Sequence, residues 1–369
     1  VTIDRRTMLA MTATAGVLAA SPARAARRSP LVINALGGLS DPNVSGSAPP
    51  DMKRVIRDAL ASGMDAVNIT LGYVSGKNEP FEESVNEIAE WDAIVRANSD
   101  KLVKVFTAAD IRAAKASRKL GVIFGFQNAA MMGDRAKRVD TFADLGVRIF
   151  QLTYNVANQL GGGSLAPGNP GLTSFGREVV ARLNARRMMV DLSHSGQQIC
   201  LDAARASTQP ISINHTGCKA IADLPRNKTD EELRLVASKG GFVGIYFMPF
   251  LRADGRQITS ADVVAHIEHA VKICGEDAVG IGTDGPTTSI DDMPKWVAAF
   301  AADIRRRQAA GISAPGERPD SYLFATDMTG PEQFRILAEK LRKRGHSQAR
   351  IEKILGLNFL RYAERIWGA

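Results

Sequence analysis

Two of the five histidines in this chain close short apolar runs: His194 ends MMVDLSH and His215 ends ISINH. Asp284 closes a third such run, AVGIGTD. Ends of neighbouring β-strands lie about 5 Å apart, so both imidazoles can reach one metal ion. The aspartate can complete the ligand set, or act as general base toward a water that the metal has acidified. Asn34, Asn68, Gln127 and Tyr154 end further runs of the same kind. One histidine at a strand end is more often structural. Two on successive strands, with an aspartate on the last, point to a functional site.

Other reactive side chains read as structural. His266 and His269 share a helix face at i, i+3, but that helix belongs outside the strand ends, so they are assigned surface or packing roles. None of the three cysteines has the CxxC spacing of a structural zinc site. Cys218 reads as a small buried thiol, and a pairing of Cys200 with Cys274 stays open. Gly161, Gly162 and Gly163 lack the lysine and hydroxyl of a phosphate-binding loop and read as a flexible loop beside the strand ends.

The elements that must position these residues alternate regularly. Apolar runs of four to eight residues cover 31–36, 64–71, 121–127, 147–153, 188–193, 211–214, 241–247 and 278–283. Such unbroken runs suit parallel strands buried on both faces. A ninth run, 102–107, reads as an extra strand outside the main sheet. Helical patterns fall between them at 51–62, 81–97, 108–119, 174–186, 195–206, 230–239 and 260–274. Further helices follow at 331–344, 347–355 and 357–367. Eight β/α alternations predict an α/β fold, a closed (β/α)8 barrel with C-terminal helices, whose catalytic residues project from the C-terminal ends of the strands. No GxGxxG follows the first strand, which argues against a dinucleotide-binding sheet. No low-complexity linker divides the chain, so residues 26–369 read as one domain.

DLSHSG, INHTGCKAIADLPRNKTDEELRLVASKGGFVGIYF, HIEHAVKICGEDAVGIGTDG and ILGLNFLRYAERIW together resemble the membrane (renal) dipeptidase family, a branch of the amidohydrolase-like metal-dependent TIM barrels. The likeness runs over nearly all of the chain after residue 30. It implies a barrel that cleaves dipeptides through two zinc ions bridged by hydroxide, usually as a homodimer. Carried over position by position, His194 and His215 match the second zinc's ligands. Arg226 in LPRN matches the arginine that grips the substrate carboxylate, and Asp284 the aspartate that takes a proton. The first metal site departs from the family. Where the family has Asp-x-His-x-Asp, this chain has Asn34 with Leu36 and Gly38. Gln127 replaces the bridging carboxylate, and Tyr154 replaces a further histidine.

Leucine and glycine side chains offer no metal donor, so the expectation is at most one zinc, on His194, His215 and Asp284, with Tyr154 as oxyanion donor or acid/base. Three protein ligands plus water is the usual catalytic minimum. The alternatives are a metal-free acid/base cluster serving isomerisation or tautomerisation, and a silent binding protein that keeps Arg226.

Residues 1–25 resemble a twin-arginine export signal. Arg5 and Arg6 precede an uncharged run, 7–23, and Ala23-Arg24-Ala25 offers a small-x-small cleavage site. The expectation is a folded protein handed to the twin-arginine export machinery and delivered to the periplasm or beyond. The chain has 45% hydrophobic and 23% charged residues among its 369, ordinary for a globular protein. Its net charge of +8 falls to +6 without residues 1–25. With no aromatic-interleaved basic patch, that excess favours a small, peptide-like carboxylate substrate over nucleic acid.

Overall fold

The computed structural model describes residues 29–44, 51–309 and 315–368; the export signal read at 1–25 lies outside them. Nine strands are present: β1 (Ile33–Gly37), β2 (Ala66–Leu71), β3 (Leu102–Lys104), β4 (Leu120–Phe126), β5 (Val147–Gln151), β6 (Met189–Asp191), β7 (Ser212–Thr216), β8 (Phe242–Ile245) and β9 (Val279–Ile281). Every pairing is parallel, in the order β1-β2-β4-β5-β6-β7-β8-β9, with β3 attached to β4 off that path. Gly38 donates its N–H to Gly285 O at 3.1 Å and bridges in parallel to Pro286, while Asp284 N donates to Leu36 O at 2.9 Å. These contacts bring the last strand back against the first. The result is the eight-stranded α/β barrel the alternation predicts.

Both faces of the strands are buried, which is why they read as unbroken apolar runs. All seven residues of β4, LGVIFGF, are buried. The outer face packs on the surrounding helices, as where Phe126 meets Phe142 of the helix Arg138–Asp144 edge-on, with ring centroids 4.9 Å apart; Phe150 of the neighbouring β5 lies edge-on to Phe126 at 5.2 Å. An inner cluster joins Ile33, Ile123, Ile149, Met189 and Phe242 to Phe359, Tyr362 and Trp367 of the last helix, Asn358–Trp367. Phe242 meets Phe359 at 5.3 Å and 89°. The final helix therefore packs onto the barrel's inner core at one end, and the chemistry is confined to the strands' C-terminal rim.

Two helices escape the sequence reading, Arg138–Asp144 and Met293–Ala309. The second has only Phe300 and Ile304 buried, too few to print an apolar face. No described helix is long and apolar enough to cross a membrane.

Candidate active site

The site begins with Asp191, at the end of β6 and buried to 2% exposure. Its Oδ1 accepts from Ser193 Oγ at 2.5 Å, Ser193 N at 3.0 Å and Asn214 N at 3.0 Å. Ser193 passes this order on. Its Oγ accepts from His215 N at 3.1 Å, and its carbonyl accepts from Arg226 Nη1 at 2.7 Å. One buried carboxylate thus sets the positions of both strand-end histidines and of the arginine. Sequence reasoning missed this hub, because Asp191 and Ser193 look like ordinary polar residues beside His194.

His194 Nε2 lies 3.0 Å from Arg226 Nη2, and its Nδ1 lies 2.7 Å from Asn155 Oδ1. A guanidinium only donates, so Nε2 must accept and Nδ1–H must donate to Asn155. Burial pushes the His194 pKa well below the ordinary range, and the Arg226 charge reinforces this. The ring is held neutral in one tautomer. Tyr154 stacks on it at 4.1 Å and 24°, and His215 lies 5.0 Å away between ring centroids. His215 is fully buried, and neither of its ring nitrogens has a hydrogen-bond partner among the described residues.

Gly161 to Gly163, expected as a flexible loop, are packed backbone behind this stack. A Cβ on Gly163 would sit 2.0 Å from Tyr154 O, and Ser164 N donates to His194 O at 2.7 Å. Glycine is required there by close approach of the chain.

Arg226 is buried to 2% exposure and lies 5.9 Å from the Tyr246 ring centroid. Among the described residues no carboxylate forms an ion pair with it. Asp284 is on the same rim with φ 60, a left-handed conformation unusual for a residue with a side chain. The strain is held by neighbours. Asp284 N is tied to Leu36 O, and Asn34 bonds Thr283 twice, from Nδ2 to Oγ1 at 2.8 Å and from Thr283 N to Oδ1 at 2.8 Å. Burial raises the Asp284 pKa to about 7 against the opposing pull of Arg226. Its side chain makes no hydrogen bond to a described residue. Burial also raises the Tyr154 pKa, helped by the Asp284 charge.

The altered positions lie on the same rim but carry neutral bonds. Gln127 Nε2 donates to Thr70 Oγ1 at 2.7 Å, and its carbonyl accepts from Gln151 Nε2. Asn68, a further strand-end residue, donates from Nδ2 to Ala35 O at 2.8 Å.

The expected zinc set of His194, His215 and Asp284 is not assembled. No three His, Cys, Asp or Glu side chains among the described residues are placed to hold a metal. The physical reason is Arg226: its N–H occupies the one lone pair His194 has to give, and its charge opposes a cation beside it. Leu36, Gly38 and Gln127 bring no compensating anion. His215, with both nitrogens unpartnered, is the one imidazole left with a lone pair to offer. Two imidazoles with one lone pair already spent fall short of the usual three ligands, so these residues do not fit zinc as they stand.

The secondary candidates are structural, as their positions on the chain implied. His266 is fully buried, takes Cys218 N on Nδ1 at 2.8 Å and reaches Leu251 O through Nε2 at 3.0 Å. His269 pairs with Asp230 at 2.7 Å. All three cysteines are free thiols, which answers the open question about Cys200 and Cys274.

A closed parallel barrel with histidines, an arginine and an aspartate on its C-terminal rim defines the class: a barrel hydrolase of the amidohydrolase type. Residues 47–302 match the membrane dipeptidase family, peptidase family M19, and the chain belongs to it. It is 33% identical to an amidohydrolase from Pseudomonas aeruginosa, with a TM-score of 0.76 and coverage of 92% of this chain and 97% of that one. Dipeptidase tcpJ of Claviceps purpurea is 25% identical over 86% of this chain and 69% of its own length. A metallopeptidase from Rhodobacter sphaeroides, liganded with a phosphinate mimic of L-Ala-D-Ala, shares the fold at 20% identity and TM-score 0.73, over 92% and 100% of the two chains. The protein is thus a dipeptidase-like hydrolase from a family of zinc metallopeptidases.

Proposed function

We propose that this protein is an exported hydrolase of a dipeptide or small peptide-derived compound, whose carboxylate is held by Arg226 and whose proton transfers run through Asp284. The observation that carries this reading is a buried guanidinium that forms an ion pair with no carboxylate among the described residues. A buried charge is costly unless paired, and the planar fork of arginine pairs both oxygens of a carboxylate. Asp284 supplies the chemistry. With its pKa near 7, it takes a proton from an attacking water at neutral pH and returns it to the leaving amine. Tyr154, kept protonated by burial, donates toward the oxygen that gains charge. His194, its two nitrogens already committed, orients Arg226 and the Tyr154 ring.

The finer sequence expectation of one zinc on His194, His215 and Asp284 is set aside here, and no step is routed through a metal. A second reading, isomerisation or tautomerisation of a peptide-derived compound, is favoured by the same Arg226–His194 bond, because acid–base chemistry on Asp284 needs no Lewis acid. Delivery by the twin-arginine machinery rests on Arg5, Arg6 and the run behind them. Assembly as a homodimer is taken from the family resemblance.

The test uses purified protein on a panel of L- and D-dipeptides and their C-terminal amides, with chelator and with added zinc. The expected result is turnover of at least one free acid, little of its amide, and no loss with chelator. Turnover that appears only with zinc overturns the metal-free chemistry. No binding or turnover of any free acid overturns the carboxylate reading. Conversion without cleavage selects the isomerase reading.

A further inference from the structure

Beside Asp284 the barrel mouth opens into a cavity of about 150 Å³ walled chiefly by Phe247, Trp296, Leu323, Phe324 and Met328. Its outer wall is the helix Met293–Ala309 together with the segment 315–329. The aromatic side chains there brace one another. Trp296 lies flat on Phe300 at 5.0 Å and 5°, edge-on to Tyr322 at 5.7 Å and 86°, and tilted against Phe324 at 5.1 Å. The wall is therefore formed before any ligand arrives, which lowers the cost of binding. An apolar cavity of about 150 Å³ is the size that takes a benzene ring.

Several polar side chains interrupt this lining: Thr283, Asp284, Thr288, Thr329 and Gln333. Thr288 is 4% exposed, and its hydroxyl has no hydrogen-bond partner among the described residues. A buried hydroxyl without a partner carries a desolvation cost, and a hydroxyl on a bound ring would relieve it. Gln333, also lining the cavity, is already spent on Pro286 O and Gly330 O, both at 3.2 Å. Thr283 and Asp284 belong both to the cavity and to the rim where the proton is handled. Arg226 does not line it, so ring and carboxylate are held by different walls.

We infer that this cavity receives an aromatic side chain, a phenol in preference to a phenyl ring, on the same molecule whose reacting bond lies at Asp284. The inference rests on the proposed function for the identity of that molecule and adds its substrate class: a peptide-derived carboxylate bearing an aromatic, hydroxylated group.

The experiment is calorimetric binding, at neutral pH, of Ala-Ala, Ala-Phe, Phe-Ala, Ala-Tyr and Tyr-Ala in both L and D forms, with the C-terminal amides alongside. Fully burying a phenyl ring is expected to tighten the better aromatic peptide at least about ten-fold over Ala-Ala. The tyrosine peptide binds tighter still, and Thr288→Val removes that margin. Trp296→Ala brings the aromatic-to-alanine ratio close to one. Ile290→Trp, which fills the mouth of the cavity, does the same and guards against a folding defect in the first variant. Equal affinity of Ala-Ala and every aromatic peptide in the unmodified protein overturns the pocket. Amides binding as well as acids overturns the Arg226 reading and leaves the pocket standing. If no peptide binds, p-cresol alone decides: saturable binding lost in Trp296→Ala supports the pocket, and no binding overturns it.

Discussion

The two halves of the barrel rim have been treated differently. On β1 to β5 the residues that the family resemblance sets at metal positions are Asn34, Leu36, Gly38 and Gln127, and the polar atoms of Asn34 and Gln127 go into neutral hydrogen bonds with Thr283 and Thr70. On β6 to β9 the rim keeps His194, His215, Arg226 and Asp284, with a buried arginine that forms no ion pair and a histidine whose ring nitrogens have no hydrogen-bond partner among the described residues. The first half now holds the scaffold in place, and the second holds unspent bonding capacity. Asn34 shows the change most directly. The resemblance sets it against a family aspartate, and in the structure it is the strut that keeps Thr283, and so the strained Asp284, in place.

The strongest way to break this contrast is to restore the first half. Leu36→His, Gly38→Asp and Gln127→Glu together return the missing donors. A Cβ on Gly38 would sit 3.3 Å from Ser40 Oγ, so that hydroxyl must shift by a few tenths of an ångström, and the Thr70 hydroxyl can donate to a carboxylate at 127. Elemental analysis should show zinc rising by about one ion per chain or more, and dipeptide hydrolysis should become sensitive to chelator. Unchanged metal content would mean that the second half, with Arg226 against His194, is by itself enough to exclude the ion.

Asp284→Asn is expected to have the next largest effect, a fall in kcat of about 10² to 10⁴, the usual worth of a general acid or base. Its pH behaviour sharpens the assignment. If the base form is required, kcat/KM in the unmodified protein rises through about pH 7. Stability runs the other way. The native carboxyl holds its proton up to about pH 7, whereas the unfolded one loses it near pH 4. This group's contribution to stability is therefore present below about pH 4, declines as pH rises toward 7, and is level above that. Asn at 284 should lose both trends, read as a flat kcat/KM profile and a thermal midpoint that no longer falls over that window.

Arg226→Met keeps length and removes charge. Truncating one side of a buried charge pair costs about 2–5 kcal/mol, so KM for free-acid peptides should rise about 30-fold or more with a smaller change in kcat. Peptide amides should be affected far less. An equal loss for acids and amides would show that Arg226 acts on the histidine stack and not on the substrate.

The fold was legible in the sequence because strands buried on both faces print unbroken apolar runs, and even the off-path strand at Leu102–Lys104 announced itself in this way. The site was legible only where a rare residue type marked it, as with histidine and the terminal aspartate. Asp191, Ser193 and Asn155 were invisible because their importance lies in pairings across 22 to 39 residues of chain. That His194, His215 and Asp284 are not assembled as a set has a related reason. Sequence placed His194 and Arg226 in their own motifs, and nothing in either motif shows that the guanidinium would take the histidine's lone pair. The helix Met293–Ala309 was missed because it covers the mouth with few buried residues, and the aromatic wall it carries was missed with it.

The smallest effect separates ring from hydroxyl at Tyr154. Its ring stacks on His194, which a phenylalanine would preserve. Its hydroxyl bonds to no described residue, and burial holds it protonated at neutral pH. As a donor to developing charge it is one of several groups on the rim, so Tyr154→Phe should lower kcat by about ten-fold, below the 10²–10³ lost when a dedicated oxyanion donor is removed. KM should move little, because the carboxylate is held elsewhere. Tyr154→Leu removes the stack as well. If it behaves like the phenylalanine variant, the ring contributes nothing to aligning His194 and Arg226. If it also raises KM toward that of Arg226→Met, the stack is what holds the carboxylate clamp in position, and the two halves of the rim meet at that tyrosine.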